Sequence, residues 1–178
     1  KQAAEDLVTD REIMWCPGCP HRATFFTMKN AFRLDGRDGF VSGDIGCYAL
    51  DRRGAGGYLI TKTALAMGSG TGVGSGLGKI GQFGFDQPVI AVCGDSTFYH
   101  AAIPALINAR YNKSDLIMVI LDNSATAMTG FQPHPGVGAN AVGKAAPVVD
   151  IEGLCRALDI RVEVMDPFDI TENTRRLV

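Results

Sequence analysis

A chain of 178 residues, 46% of them hydrophobic and with a formal net charge of −2, can bury one full core and carries no basic cluster, which disfavours nucleic acid and anionic membrane as partners. Its longest apolar run, Leu116 to Leu121, is far too short for a bilayer, and the N-terminus lacks the charged-then-apolar layout of a signal peptide. The five cysteines, an odd number, argue against a secreted disulfide framework and leave metal or redox use open, so the expectation is a cytoplasmic α/β protein that handles small molecules.

The chain begins at Lys1 without a methionine and ends at Val178 in a helical pattern. This is the expected look of an excised piece, with residues 1–178 as one domain. In "WCPGCPHR", Trp15 to Arg22, Cys16 and Cys19 have the C-x-x-C spacing that serves a redox pair, a zinc ion or an iron–sulfur cluster. A thioredoxin-type pair follows a long buried strand, whereas the preceding "AAEDLVTDREIM" is charged and shows no alternation. Zinc commonly needs a second such pair, and the sequence has none.

Next, "RATFFTMKNAF" predicts a helix and "GFVSGD" a strand. The 22 glycines concentrate between Gly54 and Gly84. In "GSGTGVGSGLGKIG", Gly68 to Gly81, small residues dominate, so a helix there is useful only where another element or a ligand presses on it. "GLGKIG" fits a dinucleotide-binding pattern formally, but no strand precedes it. "PVIAVCG", Pro88 to Gly94, predicts a buried strand, "HAAIPALINARY" a helix and "LIMVILDN" a second buried strand, together one βαβ unit. A helix near Ile151 to Leu158, a strand near Arg161 to Met165 and a helix from Asp169 continue the alternation. The predicted fold is α/β, an open, mostly parallel sheet with helices on both faces.

Ligands of such sheets bind beyond the carboxyl ends of the strands. There the sequence places "GDS", Gly94 to Ser96, and "DNSATAMTG", Asp122 to Gly130. Asp95 and Asn123 on neighbouring strand ends are hard oxygen ligands suited to Mg²⁺ on a phosphate, and the helix starting after Ser96 offers free N–H groups to that anion. The plainer alternative makes Asp95 a helix cap and Asn123 a turn residue.

"GDS" followed by a helix, a strand and "DN" resembles the thiamine diphosphate motif. With "CPGCPHR", "GDIGCY" and "TAMTGFQPHPG" in the same order, the chain is similar to the large subunit of the indolepyruvate:ferredoxin oxidoreductases, a group of the 2-oxoacid:ferredoxin oxidoreductase family. "LDRRGAGGYLIT" departs from that pattern. The resemblance implies the diphosphate half of a thiamine diphosphate-binding fold. Mg²⁺ would be held by Asp95, Asn123 and the Ala125 carbonyl, and thiamine would be lined by Ile45, Gly46, Cys47, Tyr48, Gly94, Ser96, Thr97, Ala127 and Met128. It also implies a [4Fe–4S] cluster on Cys16, Cys19 and Cys47, with the fourth ligand beyond Val178 and Cys155 as the local substitute. Cys93 reads as core.

No catalytic side chain is assigned firmly. His21 and Met128 are the candidates, Met128 toward the thiazolium. His21 and Arg22 could meet a carboxylate or the diphosphate, His134 lies in a loop that could cover the site, and His100 is expected to pack or cap its helix. The implied reaction converts a 2-oxoacid, an arylpyruvate such as indolepyruvate, with CoA to acyl-CoA and CO₂, and passes electrons to ferredoxin. A pyrimidine-binding domain or second subunit, supplying the activating glutamate, would complete the site in a dimer or hetero-oligomer. The alternatives are a non-oxidative thiamine-dependent decarboxylase or carboligase, and a structural metal-binding interaction domain.

Overall fold

The computed structural model describes residues 12–52 and 56–178. Most of the charged segment before Trp15 and the centre of "LDRRGAGGYLIT" therefore lie outside the described residues. Four strands, β1 (Phe40–Gly43), β2 (Thr61–Ala64), β3 (Val89–Gly94) and β4 (Ile117–Leu121), form one sheet in the order β2-β1-β3-β4, and every pairing is parallel. The predicted open parallel sheet is what the chain adopts.

β3 lies between β1 and β4, and its first five residues are buried, which explains why it reads as a continuous apolar run rather than an alternating one. Side chains along it still point to alternate faces. Ile90 and Val92 join a core with Trp15, Phe25, Met28, Val41 and Tyr48, whereas Cys93 joins a second with Phe98, Ala102, Leu106 and Cys155. Full burial of a side chain such as Phe25 or Phe98 contributes about 1.5–3 kcal/mol.

Helix α1 (Pro20–Asp35) starts with Pro at its first turn, where no N–H is needed, and stops at Gly36, whose left-handed φ of 80° lets its N–H close on the Phe32 carbonyl. It buries Phe25 and Met28 against the first core. Helix α2 (Ser69–Leu77) is the glycine-rich segment and packs on β1 and β3. The chain leaving β3 turns directly into α3 (Asp95–Thr97), a wide π-turn over Phe98–Ala102, and α4 (Ile103–Asn112). Pro104, at the start of α4, has no N–H for the His100 carbonyl one turn back, and a wide turn relieves that mismatch. α5 (Ile151–Ala157) is capped by Asp150, whose carboxylate accepts the N–H groups of Glu152 and Gly153, and α6 (Ile170–Arg176) packs on α1.

Two expectations differ. β2 was not foreseen, because "TKTA" has neither an apolar run nor β-branched density throughout. No strand forms at Arg161 to Met165. Val162 packs on the second core as the alternation predicts, but Val164 is 76% exposed and no neighbouring strand pairs with the segment. Among the described residues no helix is long and apolar enough to cross a membrane.

Candidate functional site

The pairing of β3 with β4 puts Gly94 opposite Leu121, so the two chains leave the sheet side by side. Asp95 follows one strand and Asn123 the other. A small cleft of about 100 Å³, partly open to solvent, lies at these ends, below the volume of an enclosed small-molecule site. It is lined by Asp95, Asn123 and Ala125, by Ile45, Gly46, Cys47, Tyr48, Gly94, Ser96, Thr97, Ala127 and Met128, and by His21. Met67, Leu121, Thr126 and Thr129 also line it and were not foreseen. The signal for Met67 was its position just before the glycine-rich helix, hidden because β2 went unread.

Asp95 is almost fully buried. Its Oδ1 accepts the N–H of Ser96 at 2.7 Å, and its Oδ2 accepts the N–H of Asn123 at 3.1 Å and faces Nε2 of His134 at 3.0 Å. A carboxylate offers about four acceptor positions, so one on Oδ1 stays open. Asn123 Oδ1 accepts the Ala125 N–H at 3.2 Å and keeps a second lone pair. A carboxylate, an amide oxygen and a neighbouring carbonyl are the hard donors that Mg²⁺ takes, so these residues fit the cation. Thr126 Oγ1 donates to Ser96 Oγ at 2.8 Å, which ties the loop after β4 to the start of α3. The turn half of the plainer alternative holds, since Asn123 makes an Asx turn, but Asp95 is the first residue of α3 and Gly94 is at the cap, so Asp95 is not a helix cap.

Across the cleft, the Tyr48 hydroxyl donates to the Ile45 carbonyl at 2.9 Å and lies 3.2 Å from Thr97 Oγ1. Burial pushes its phenol up to about 12, so it stays protonated. His21 stacks on Tyr48 with ring centroids 6.1 Å apart, sits with Nδ1 3.2 Å from Cys19 Sγ, and is held below its ordinary value by burial. Arg22 does not face the cleft lining. Its guanidinium donates to the carbonyls of Trp15 at 2.6 Å and Cys16 at 3.2 Å and so fixes the C-x-x-C turn. Trp15 Nε1 donates to the Cys47 carbonyl at 2.8 Å and brings that turn against the residues after β1. His100 is exposed, neither packed nor capping.

Cys16 is exposed, while Cys19 and Cys47 are half-buried. The Cys47 thiol is pushed up first by burial and then by the thiolates of Cys19 and Cys16, so the three share one neighbourhood. Among the described residues, however, no three His, Cys, Asp or Glu side chains converge as a metal-binding set. The expected cluster ligands are therefore not closed on a common point by this chain, and a [4Fe–4S] cluster takes four thiolates. Cys155 does not join them: it is buried in the second core with Cys93 and Phe98.

The family described as "Thiamine pyrophosphate enzyme, C-terminal TPP binding domain" matches residues 44–177, which begin just after β1 and include β2, β3, β4 and both strand-end loops. The chain belongs to this family. As a thiamine pyrophosphate-binding domain it is similar to three curated relatives named "Indolepyruvate oxidoreductase subunit IorA". It is 44% identical to that of Archaeoglobus fulgidus over 162 residues, covering 90% of this chain and 25% of the relative. It is 42% identical to that of Pyrococcus horikoshii over 183 residues, covering 94% and 27%, and 40% identical to that of Thermococcus kodakarensis over 185 residues, covering 95% and 27%. The thiamine pyrophosphate-binding domain thus spans about a quarter of the length of the relatives it matches.

Proposed function

We propose that residues 1–178 form the diphosphate- and magnesium-binding domain of a thiamine diphosphate-dependent 2-oxoacid:ferredoxin oxidoreductase acting on an arylpyruvate such as indolepyruvate. The supporting observation is the single cleft that gathers Asp95, Asn123 and Ala125 from two strand ends together with Cys47 and Tyr48 from a third. Asp95, Asn123 and the Ala125 carbonyl hold Mg²⁺. The N–H groups at the start of α3 other than that of Ser96, which Asp95 holds, bind the diphosphate, since a helix start favours anions. Ile45, Met67 and Met128 are an exposed apolar rim of the cleft that the partner covers, and neutral Tyr48 holds the turn after β1 in place.

When bound, thiamine diphosphate supplies the carbanion chemistry that releases CO₂ from a 2-oxoacid, and a [4Fe–4S] cluster supplies a one-electron acceptor. Cys16, Cys19 and Cys47 are three thiolates for such a cluster, and the fourth comes from outside this chain. CoA takes the acyl group and ferredoxin the electrons. A partner domain or subunit covers the open side of the cleft and supplies the pyrimidine-activating glutamate.

The test is an anaerobic visible spectrum with iron and thiamine assays on the full-length protein and on Cys47→Ala. A broad band near about 400 nm, about four irons per cluster, and loss of both in the variant support the oxidoreductase. Bound thiamine with iron unchanged in the variant removes the cysteine triplet from the ligand set and turns the reading toward a non-oxidative decarboxylase or carboligase.

A further inference from the structure

His134 is the most enclosed histidine among the described residues. Its side chain is 1% exposed and the Asp95 carboxylate it meets is 3% exposed. Its two ring nitrogens have different partners. Nδ1 accepts the N–H of Gly136 at 3.1 Å, so it carries no proton, and Nε2 is left as the N–H that donates to Asp95 Oδ2 at 3.0 Å.

The ring is held from three sides. Pro133 and Pro135 flank it in sequence and restrict the backbone on either side. The Tyr99 ring stacks on it with centroids 5.4 Å apart and an interplanar angle of 29°. Val149 N–H donates to the Pro135 carbonyl at 2.9 Å, and the Val149 carbonyl accepts the Tyr99 hydroxyl at 2.6 Å. Tyr99 reaches this position from the π-turn after α3, so the wide turn and the His134 loop form one support.

We infer that His134 is a positioning residue for the cation ligand Asp95. It saturates Oδ2 jointly with the Asn123 N–H and thereby leaves Oδ1 as the oxygen offered to Mg²⁺. The inference rests on the reading of Asp95 as a cation ligand given above. A histidine that donates to a ligand carboxylate fixes its orientation, and loss of such a partner typically costs about 10–100-fold in metal affinity.

The measurement is thiamine diphosphate binding by equilibrium dialysis on the full-length protein across a Mg²⁺ series, with the melting temperature taken in the absence of both. Asp95→Asn, His134→Phe and His134→Gln are compared with wild type. His134→Phe keeps a planar ring without a donor, and His134→Gln keeps an N–H donor. The expected result is a Mg²⁺ midpoint raised at least about tenfold in His134→Phe, most of that loss recovered in His134→Gln, and cofactor-free melting temperatures of the two His134 variants close to each other.

A midpoint unchanged in His134→Phe while Asp95→Asn abolishes Mg²⁺ dependence overturns the role of His134 alone. A midpoint unchanged in Asp95→Asn overturns the cation reading of Asp95 and this inference with it. If His134→Phe does not fold, His134→Ala is the donor-free variant: a wild-type Mg²⁺ midpoint overturns the proposal, and a midpoint raised about tenfold that His134→Gln largely restores supports it.

Discussion

The Asp44 carboxylate, completely buried at the end of β1, accepts the N–H of Gly68 at 2.7 Å and that of Gly70 at 3.2 Å through Oδ2. One side chain therefore satisfies the start of α2 from the neighbouring strand end, a task that Gly68 at the cap position cannot perform. Oδ1 takes the Ile45 N–H at 2.6 Å, so the same group also shapes the turn that enters the cleft.

Asp44→Asn replaces one of these acceptors with an NH₂ that faces N–H donors, and it is expected to destabilise the protein by about 1–3 kcal/mol. Burial raises the Asp44 carboxyl above its ordinary value of 3.8 despite the three N–H groups. The native state therefore binds its proton more tightly than the unfolded chain does. Its contribution to stability is full below 3.8 and falls as pH rises through the raised value. Urea unfolding at pH 4 and pH 7 should show a smaller gap between wild type and Asp44→Asn at pH 7. A gap that widens with pH contradicts this assignment.

Two glycines of α2 should respond to alanine with opposite signs. A Cβ on Gly70 would sit 2.7 Å from the Val92 carbonyl oxygen and 3.0 Å from that of Ser42, backbone atoms that cannot step aside, whereas a Cβ on Gly72 meets nothing within 4 Å. Gly70→Ala is expected to cost about 1–3 kcal/mol through overpacking. Gly72→Ala should gain about 0.5–1 kcal/mol from helix propensity. Thermal melts of the two variants settle it, and equal destabilisation would mean that the exposed side of α2 is also closely packed.

The sequence was legible where a single interaction dominated. β3 and β4 announced themselves as apolar runs, and α1 by the helical pattern of "RATFFTMKNAF". The strand-end positions of Asp95 and Asn123 followed from the parallel fold once those strands were placed. What stayed hidden depended on partners distant in sequence. β2 is an edge strand with β1 as its one strand neighbour and with its Thr61 N–H held by Asp51, so it carries no apolar run, and "RVEVM" alternates like a strand yet has no neighbour to pair with. Arg22 looked like an anion ligand because nothing local reveals that the Trp15 and Cys16 carbonyls turn back toward it. The His134–Asp95 contact joins residues 39 apart, beyond what periodicity can report.

Cys155 offers a separate check on the cysteine assignments. It is 4% exposed among Phe98, Leu106 and the partly buried Leu154 and Leu158, and burial pushes its thiol up, then the nearby Asp150 charge. Cys155→Ser places an unpartnered hydroxyl in that core and should cost about 1–3 kcal/mol. Cys155→Ala loses only packing and should cost about 1 kcal/mol per missing methyl-sized group. Neither should alter the iron content of the full-length protein. A loss of iron in Cys155→Ala would make it a ligand after all.

Thiol accessibility gives the last test, because it reads the C-x-x-C turn directly. In cluster-free protein, pulsed alkylation with peptide mapping should label Cys16 first, Cys19 and Cys47 more slowly, and Cys93 and Cys155 last, following their exposure. Arg22 supports this order by holding two carbonyls of the turn with one planar fork. A lysine ammonium cannot reproduce that geometry. Arg22→Lys should therefore speed labelling of Cys19 several-fold, toward the Cys16 rate, while leaving Cys93 and Cys155 unchanged. If all five thiols accelerate together, Arg22 stabilises the whole fold rather than the turn. If Cys19 does not accelerate, its protection comes from the packing of α1 and His21 alone.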